Sequence, residues 1–132
     1  MYLNKNSTRI LQFFTGKITE AFTLRELART LKMHVSLAHR GVTELIKEQI
    51  IIQDKHKLLS INYKKNHETL AFIESLRKEN LLQKKKYKDL SLCTEEIIEK
   101  IKEESFILLL FGSAIESNHP RDIDILLIVQ SS

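Results

Sequence analysis

A chain of 132 residues that is 42% hydrophobic can build one compact domain or two very small ones, and is too apolar to be disordered. Its longest apolar run, Phe106 to Phe111, is far short of the ~20 residues that span a bilayer, the N-terminus lacks a secretory signal pattern, and the lone Cys93 excludes a disulfide framework and agrees with a cytoplasmic location. The net charge of +4 divides unevenly: residues 1–90 hold 18 Lys and Arg against 9 Asp and Glu, and residues 91–132 hold 3 against 8.

Ser7 is placed to cap a first helix bearing Ile10, Leu11, Phe13 and Phe14, with Gly16 at its end. Phe22 continues the apolar series. Thr23 followed by Glu26 has the spacing of a capping box, and Leu24, Leu27, Ala28 and Leu31 recur along one helical face, so this helix ends near Lys32. After the connector Met33-His34-Val35 a second helix turns Ala38, Gly41, Val42, Leu45 and Ile46 inward. Ser36, His39, Arg40, Thr43 and Lys47 fall on its opposite face. That face is small, polar and positive, which suits a helix lying in the major groove with Arg40 reading a base edge. It also fits an ordinary helical hairpin with a solvated side. Ile50 to Ile52 and Leu58 to Ile61 read as short strands, joined by a polar turn that sets Lys55, His56 and Lys57 at a hairpin tip.

From Ser7 to Asn62 these features resemble the winged helix-turn-helix domains of transcriptional regulators. The resemblance implies recognition of double-stranded DNA by the second helix and phosphate contact by the wing. It puts Ser36, Leu37, His39 and Arg40 at groove-facing positions, Thr43 and Lys47 further along the same DNA-binding face, and Lys55 and Lys57 on the wing. The basic first half is the electrostatic footprint expected of such a domain. Two residues depart from the family: His34 stands where a Ser or Thr cap is usual, and Gln49 stands where glycine usually turns the chain into the wing. Gln49 must then adopt a conformation that glycine accepts more easily.

Asn66-His67-Glu68 opens a connecting helix whose Leu70, Phe72, Ile73, Leu76, Leu81 and Leu82 are too irregular for a heptad. Pairing of two copies into a homodimer and packing on its own domain both fit it. Lys84-Lys85-Lys86-Tyr87-Lys88 lacks a turn or aromatic interleaving, and reads as a solvated linker in preference to a second phosphate contact. The expected organisation is a DNA-binding domain over 1–65, a connecting helix and linker over 66–90, and a further module over 91–132. In that module Thr94, with Glu95 and Glu96, begins a helix carrying Ile97, Ile98 and Ile101. Phe106 to Phe111 then reads as a buried strand, followed by Gly112-Ser113, a short connection, and a second buried strand from Asp122 to Val129.

Asp122 and Asp124 lie two apart, so on one strand both project to one face, where a hard cation such as Mg2+ relieves their repulsion. Gly112 lets a phosphate approach the backbone, and Ser113 offers it a hydroxyl and a following amide. LLLFGS followed by DIDILLIV, within residues 94–132, resembles the minimal nucleotidyltransferases of the polymerase-beta-like superfamily. The resemblance implies that Gly112 and Ser113 hold the phosphates of an NTP. It also implies that Asp122 and Asp124 are catalytic carboxylates, binding metal ions that assist attack on the alpha-phosphate with release of pyrophosphate. Against it, no Asp or Glu follows Asp124, where active members carry a third carboxylate, and Ile115-Glu116 replaces a common Arg-Gly pair. The module is then either a piece of a longer enzyme or an inactive interaction module. His34, His39, His56, His67 and His119 show no zinc spacing and read as surface or capping residues.

The expected fold class is α+β: a winged helix-turn-helix, a connecting helix and a small α/β nucleotidyltransferase-like fragment. The leading function is a DNA-binding transcriptional regulator with no membrane partner. Two alternatives stay open: a Mg2+-dependent transferase of a nucleotide to a protein or other acceptor, and an antitoxin-like module that binds a protein partner.

Overall fold

The computed structural model describes residues 3–83, 88–102, 105–116 and 122–130. It divides into two compact units, Met1–Lys78 and Glu79–Ser132.

In the first unit, α1 (Lys5–Thr15) is capped by Asn4, whose Oδ1 accepts the amides of Asn6 and Ser7 at 2.9 Å each. Ser7 is therefore not the cap. The carboxamide three residues upstream has taken that role, and Ser7 is buried inside the helix with its hydroxyl donating to Glu44 at 3.4 Å. Gly16 ends the helix as expected, in right-handed geometry. The capping box of α2 (Leu24–Thr30) is complete: the Thr23 amide donates to Glu26 Oε2 at 2.8 Å, and the Glu26 amide donates to Thr23 Oγ1 at 3.3 Å. α3 (Val35–Lys47) follows, with Ala38, Gly41, Val42 and Leu45 buried. At Gly41 α1 packs tightly on α3, since a Cβ there would lie 2.7 Å from Ile10 Cδ1.

The chain leaves α3 through Gln49, which takes the left-handed conformation (φ 58°) that its position requires. Its groups are bonded in that geometry: its carbonyl accepts Asn62 Nδ2 at 2.9 Å, and its side chain accepts Lys65 Nζ. Local strain of this kind persists where surrounding bonds hold it. β1 (Ile51–Gln53) and β2 (Leu59–Ile61) form the expected hairpin, each starting one residue later than its apolar run. They pair antiparallel as Ile51↔Ile61, Ile52↔Ser60 and Gln53↔Leu59. Phe22 adds a bridge to Leu59, with backbone bonds of 2.8 and 3.0 Å, so the hairpin is tied to the segment that enters α2.

One core joins these pieces: Ile10, Leu11 and Phe14 from α1, Leu27, Val42 and Leu45 from α2 and α3, and Ile50, Ile51, Leu59 and Ile61 from the hairpin. The connecting helix α4 (His67–Leu82) closes it with Leu70 and Ile73. The first unit thus has winged helix-turn-helix architecture.

In the second unit, α5 (Lys88–Lys100) starts six residues before Thr94. Thr94 is not a cap; it sits inside the helix with its hydroxyl donating back to the Leu90 carbonyl, a local bond open to threonine in a helix interior. β3 (Phe106–Phe111), α6 (Ser113–Glu116) and β4 (Asp124–Val129) follow. β3 and β4 pair antiparallel from Phe106↔Val129 to Phe111↔Asp124. Two expectations are corrected here. The strands are not buried: Ile107, Leu109 and Phe111 alternate outward from β3, and Leu126 to Val129 are exposed on β4, because among the described residues the ribbon has two strands. Pairing also begins at Asp124, so Asp122 precedes the strand. Lys84 to Tyr87 and His119 lie outside the described residues.

Candidate nucleic-acid interface

The turn between α2 and α3 is set by backbone geometry. Lys32 is left-handed (φ 49°), the Met33 amide donates to the Ala28 carbonyl at 2.9 Å, and Arg9 reaches across from α1 to donate to the Leu31 carbonyl at 2.7 Å. Arg9 was invisible to sequence reasoning, since its acceptor is a backbone carbonyl 22 residues away. Glu26 is committed to its cap: hydrogen bonds from the Thr23 amide and hydroxyl, with a smaller contribution from Arg29, hold its carboxyl below the usual carboxylate range.

His34 occupies the N-cap position of α3 without a side-chain bond to the helix backbone. Its Nδ1 instead lies 2.8 Å from Ser36 Oγ. Beyond it every sequence-predicted residue of this helix is exposed: Ser36, Leu37, His39, Arg40, Thr43 and Lys47. Val35, the first residue of the helix and not part of the connector, is exposed as well. Thr43 is partly occupied, because its hydroxyl donates to the His39 carbonyl at 2.8 Å. Glu44, the acid nearest in sequence, is drawn away from this face by Asn4 Nδ2 at 3.0 Å and Ser7.

The hairpin tip is fixed by one side chain. Asp54 Oδ1 accepts the amides of His56 and Leu58 at 2.8 Å each, and Lys57 is left-handed (φ 62°). An Asp at the head of a polar turn is the sequence signal for this geometry. Lys55 and Lys57 are thereby held out into solvent on a closed loop. The side chains of Arg40, Lys47, Lys55 and Lys57 make no ion pair or hydrogen bond among the described residues. Four cations on two adjoining elements are therefore free to meet phosphates. Arg25 and Arg29 on α2 are also exposed and were not singled out from sequence.

The second unit brings together part of its expected site. Gly112 is left-handed (φ 74°), and a Cβ there would collide with the Asp124 carboxylate. Ser113 begins α6 beside it. Asp122 is exposed and lies two residues ahead of β4, outside the paired ladder that begins at Asp124. Among the described residues no three His, Cys, Asp or Glu side chains group as a metal site. Carboxylate oxygens suit Mg2+, but these two side chains alone would leave most of its octahedron to water and substrate.

No protein-family model and no curated protein matches the chain. Among solved structures it is similar to wild-type ZitR of Lactococcus lactis, with 15% identity and a TM-score of 0.47 over 76% of this chain and 75% of that one. It is also similar to a protein of unknown function from Listeria innocua Clip11262, with 19% identity and a TM-score of 0.47 over 75% of each chain. At these values the likenesses decide nothing about function. Within the described residues, no helix is long and apolar enough to cross a membrane.

Proposed function

We propose that this protein is a cytoplasmic, DNA-binding transcriptional regulator. α3 enters the major groove of duplex DNA, and the tip of the β1–β2 hairpin lies on the phosphate backbone. The observation that carries this reading is the set of exposed, unpaired cations Arg40, Lys47, Lys55 and Lys57 on two elements whose geometry is fixed from behind by the core and by Asp54. Phosphate neutralisation by such cations supplies most non-specific affinity, and an arginine one turn into the helix is placed to contact a guanine edge.

The test is equilibrium binding of a generic 30-base-pair duplex by the full chain across a salt series. Affinity is expected to fall steeply with salt. Arg40→Glu should weaken binding by about 2 kcal/mol, and the double change Lys55→Ala/Lys57→Ala should reduce the slope of log K against log salt by about 2. Absence of binding at low salt would contradict the reading.

A second reading, a nucleotide-binding role for the second unit, is favoured by the seating of the Asp124 carboxylate over the left-handed Gly112. It is tested by Mg2+-dependent binding of an NTP to the full chain, with loss of that binding in Asp124→Asn.

A further inference from the structure

The first turn of α3 is chemically unlike the rest of its outer face. Of its four residues Ala38 is buried, and the other three point outward: Val35 is 47% exposed, Leu37 is 42% exposed, and Ser36 lies between them. The Ser36 hydroxyl is within 2.8 Å of His34 Nδ1 and is thereby engaged locally. The tip of the helix therefore presents two branched aliphatic side chains with no charge. The first cation of the helix, Arg40, comes nearly one turn later.

In helix-turn-helix docking, the N-terminal residues of the recognition helix come closest to the base edges. Among the groups on those edges in the major groove, only the thymine 5-methyl is apolar, whereas the others are hydrogen-bond donors or acceptors that an aliphatic side chain would leave unpaired. On the DNA-binding reading above, we infer that Val35 and Leu37 cover thymine methyl groups, so that the bases beneath the first turn of α3 are A·T pairs. The positive charge of Arg40, Lys47, Lys55 and Lys57 identifies duplex DNA as the occupant of this apolar tip. The methyls then set which duplex is preferred.

The experiment uses the full chain and four 30-base-pair duplexes of alternating sequence: dA-dT, dA-dU, dG-dC and dG-5-methyl-dC. The second lacks the methyl of the first, and the fourth places a methyl on the major-groove edge that the third lacks. Covering one methyl is expected to change affinity about fourfold, so dA-dT should bind more tightly than dA-dU and dG-5-methyl-dC more tightly than dG-dC. Both differences should vanish in Val35→Ser/Leu37→Asn, at two exposed positions where substitution is expected to cost little stability, while the salt slope stays unchanged. Equal affinity of the native chain for both members of each pair overturns the methyl contact and leaves DNA binding intact, as does persistence of the differences in the double variant. Failure to bind any of the four duplexes at low salt overturns DNA binding, and the methyl contact with it.

Discussion

The molecule contains two antiparallel ribbons of similarly apolar sequence with opposite fates. In β1–β2 the residues Ile51, Leu59 and Ile61 are 1%, 0% and 6% exposed, because they join the core that α1 to α4 complete and that the Phe22 bridge ties to the hairpin. In β3–β4, twice as long and with the same share of Leu and Ile, Ile107 is 55% exposed and Leu109 43%. Apolar sequence is enough to specify a strand. Burial depends on which elements are present to cover it, and that is a property of the whole unit.

The sharpest way to break the comparison is to truncate one leucine in each ribbon's unit. Leu27→Ala empties a site at the centre of the first core and should cost about 3 kcal/mol, whereas Leu109→Ala on the open ribbon should cost less than about 0.5 kcal/mol. Urea unfolding followed by helical circular dichroism separates the two. Equal losses would mean that the β3–β4 face is covered in solution.

The glycines give a smaller contrast of a different kind. Gly41→Ala forces Ile10 aside at the α1–α3 contact and should destabilise by about 2 kcal/mol through overpacking. Gly112→Ala meets a left-handed backbone and the Asp124 carboxylate, and should cost about 1 to 2 kcal/mol, confined to the second unit. Amide exchange of the helices of the first unit should register only the former.

Which of these features the sequence disclosed follows from their range. The Thr23–Glu26 box, the buried face of α3 and the demand on Gln49 are local patterns, and each was readable. Asn4 displaced Ser7 as a cap because several polar residues crowd that end, and pattern alone does not rank them. The exposure of Val35 was missed because a β-branched residue beside a turn looks like part of the connector. The second strand was expected from Asp122, but the ladder starts at Asp124, opposite Phe111, because the register of a distant strand is not written in either segment alone.

Removing the cap should have a smaller effect still. Thr23→Ala should destabilise the first unit by about 1 kcal/mol, and DNA affinity should fall with it only insofar as α2 frays. Asp124→Asn in the second unit should leave DNA affinity within about twofold, since the cations assigned to DNA belong to the first unit.

The smallest effect is on pH dependence. Glu26 is lowered in the folded state by Thr23, so its contribution is fully present above the unfolded carboxylate value and is lost as pH falls through the folded one. Glu26→Gln should therefore lower the first unit's stability at neutral pH and flatten the acid limb of its stability curve, with the two proteins meeting at the acid end. An unaltered acid limb would mean that the box does not hold in solution.

The central claim is that DNA engages the first unit through α3 and the hairpin tip, and it is addressed most directly by hydrogen exchange of the full chain with and without a 30-base-pair duplex at low salt. Slowed exchange in peptides covering residues 32–47 and 53–58, with the peptides of β3 and β4 unchanged, is the expected result. Protection confined to β3 and β4, or none in residues 32–47, would contradict it.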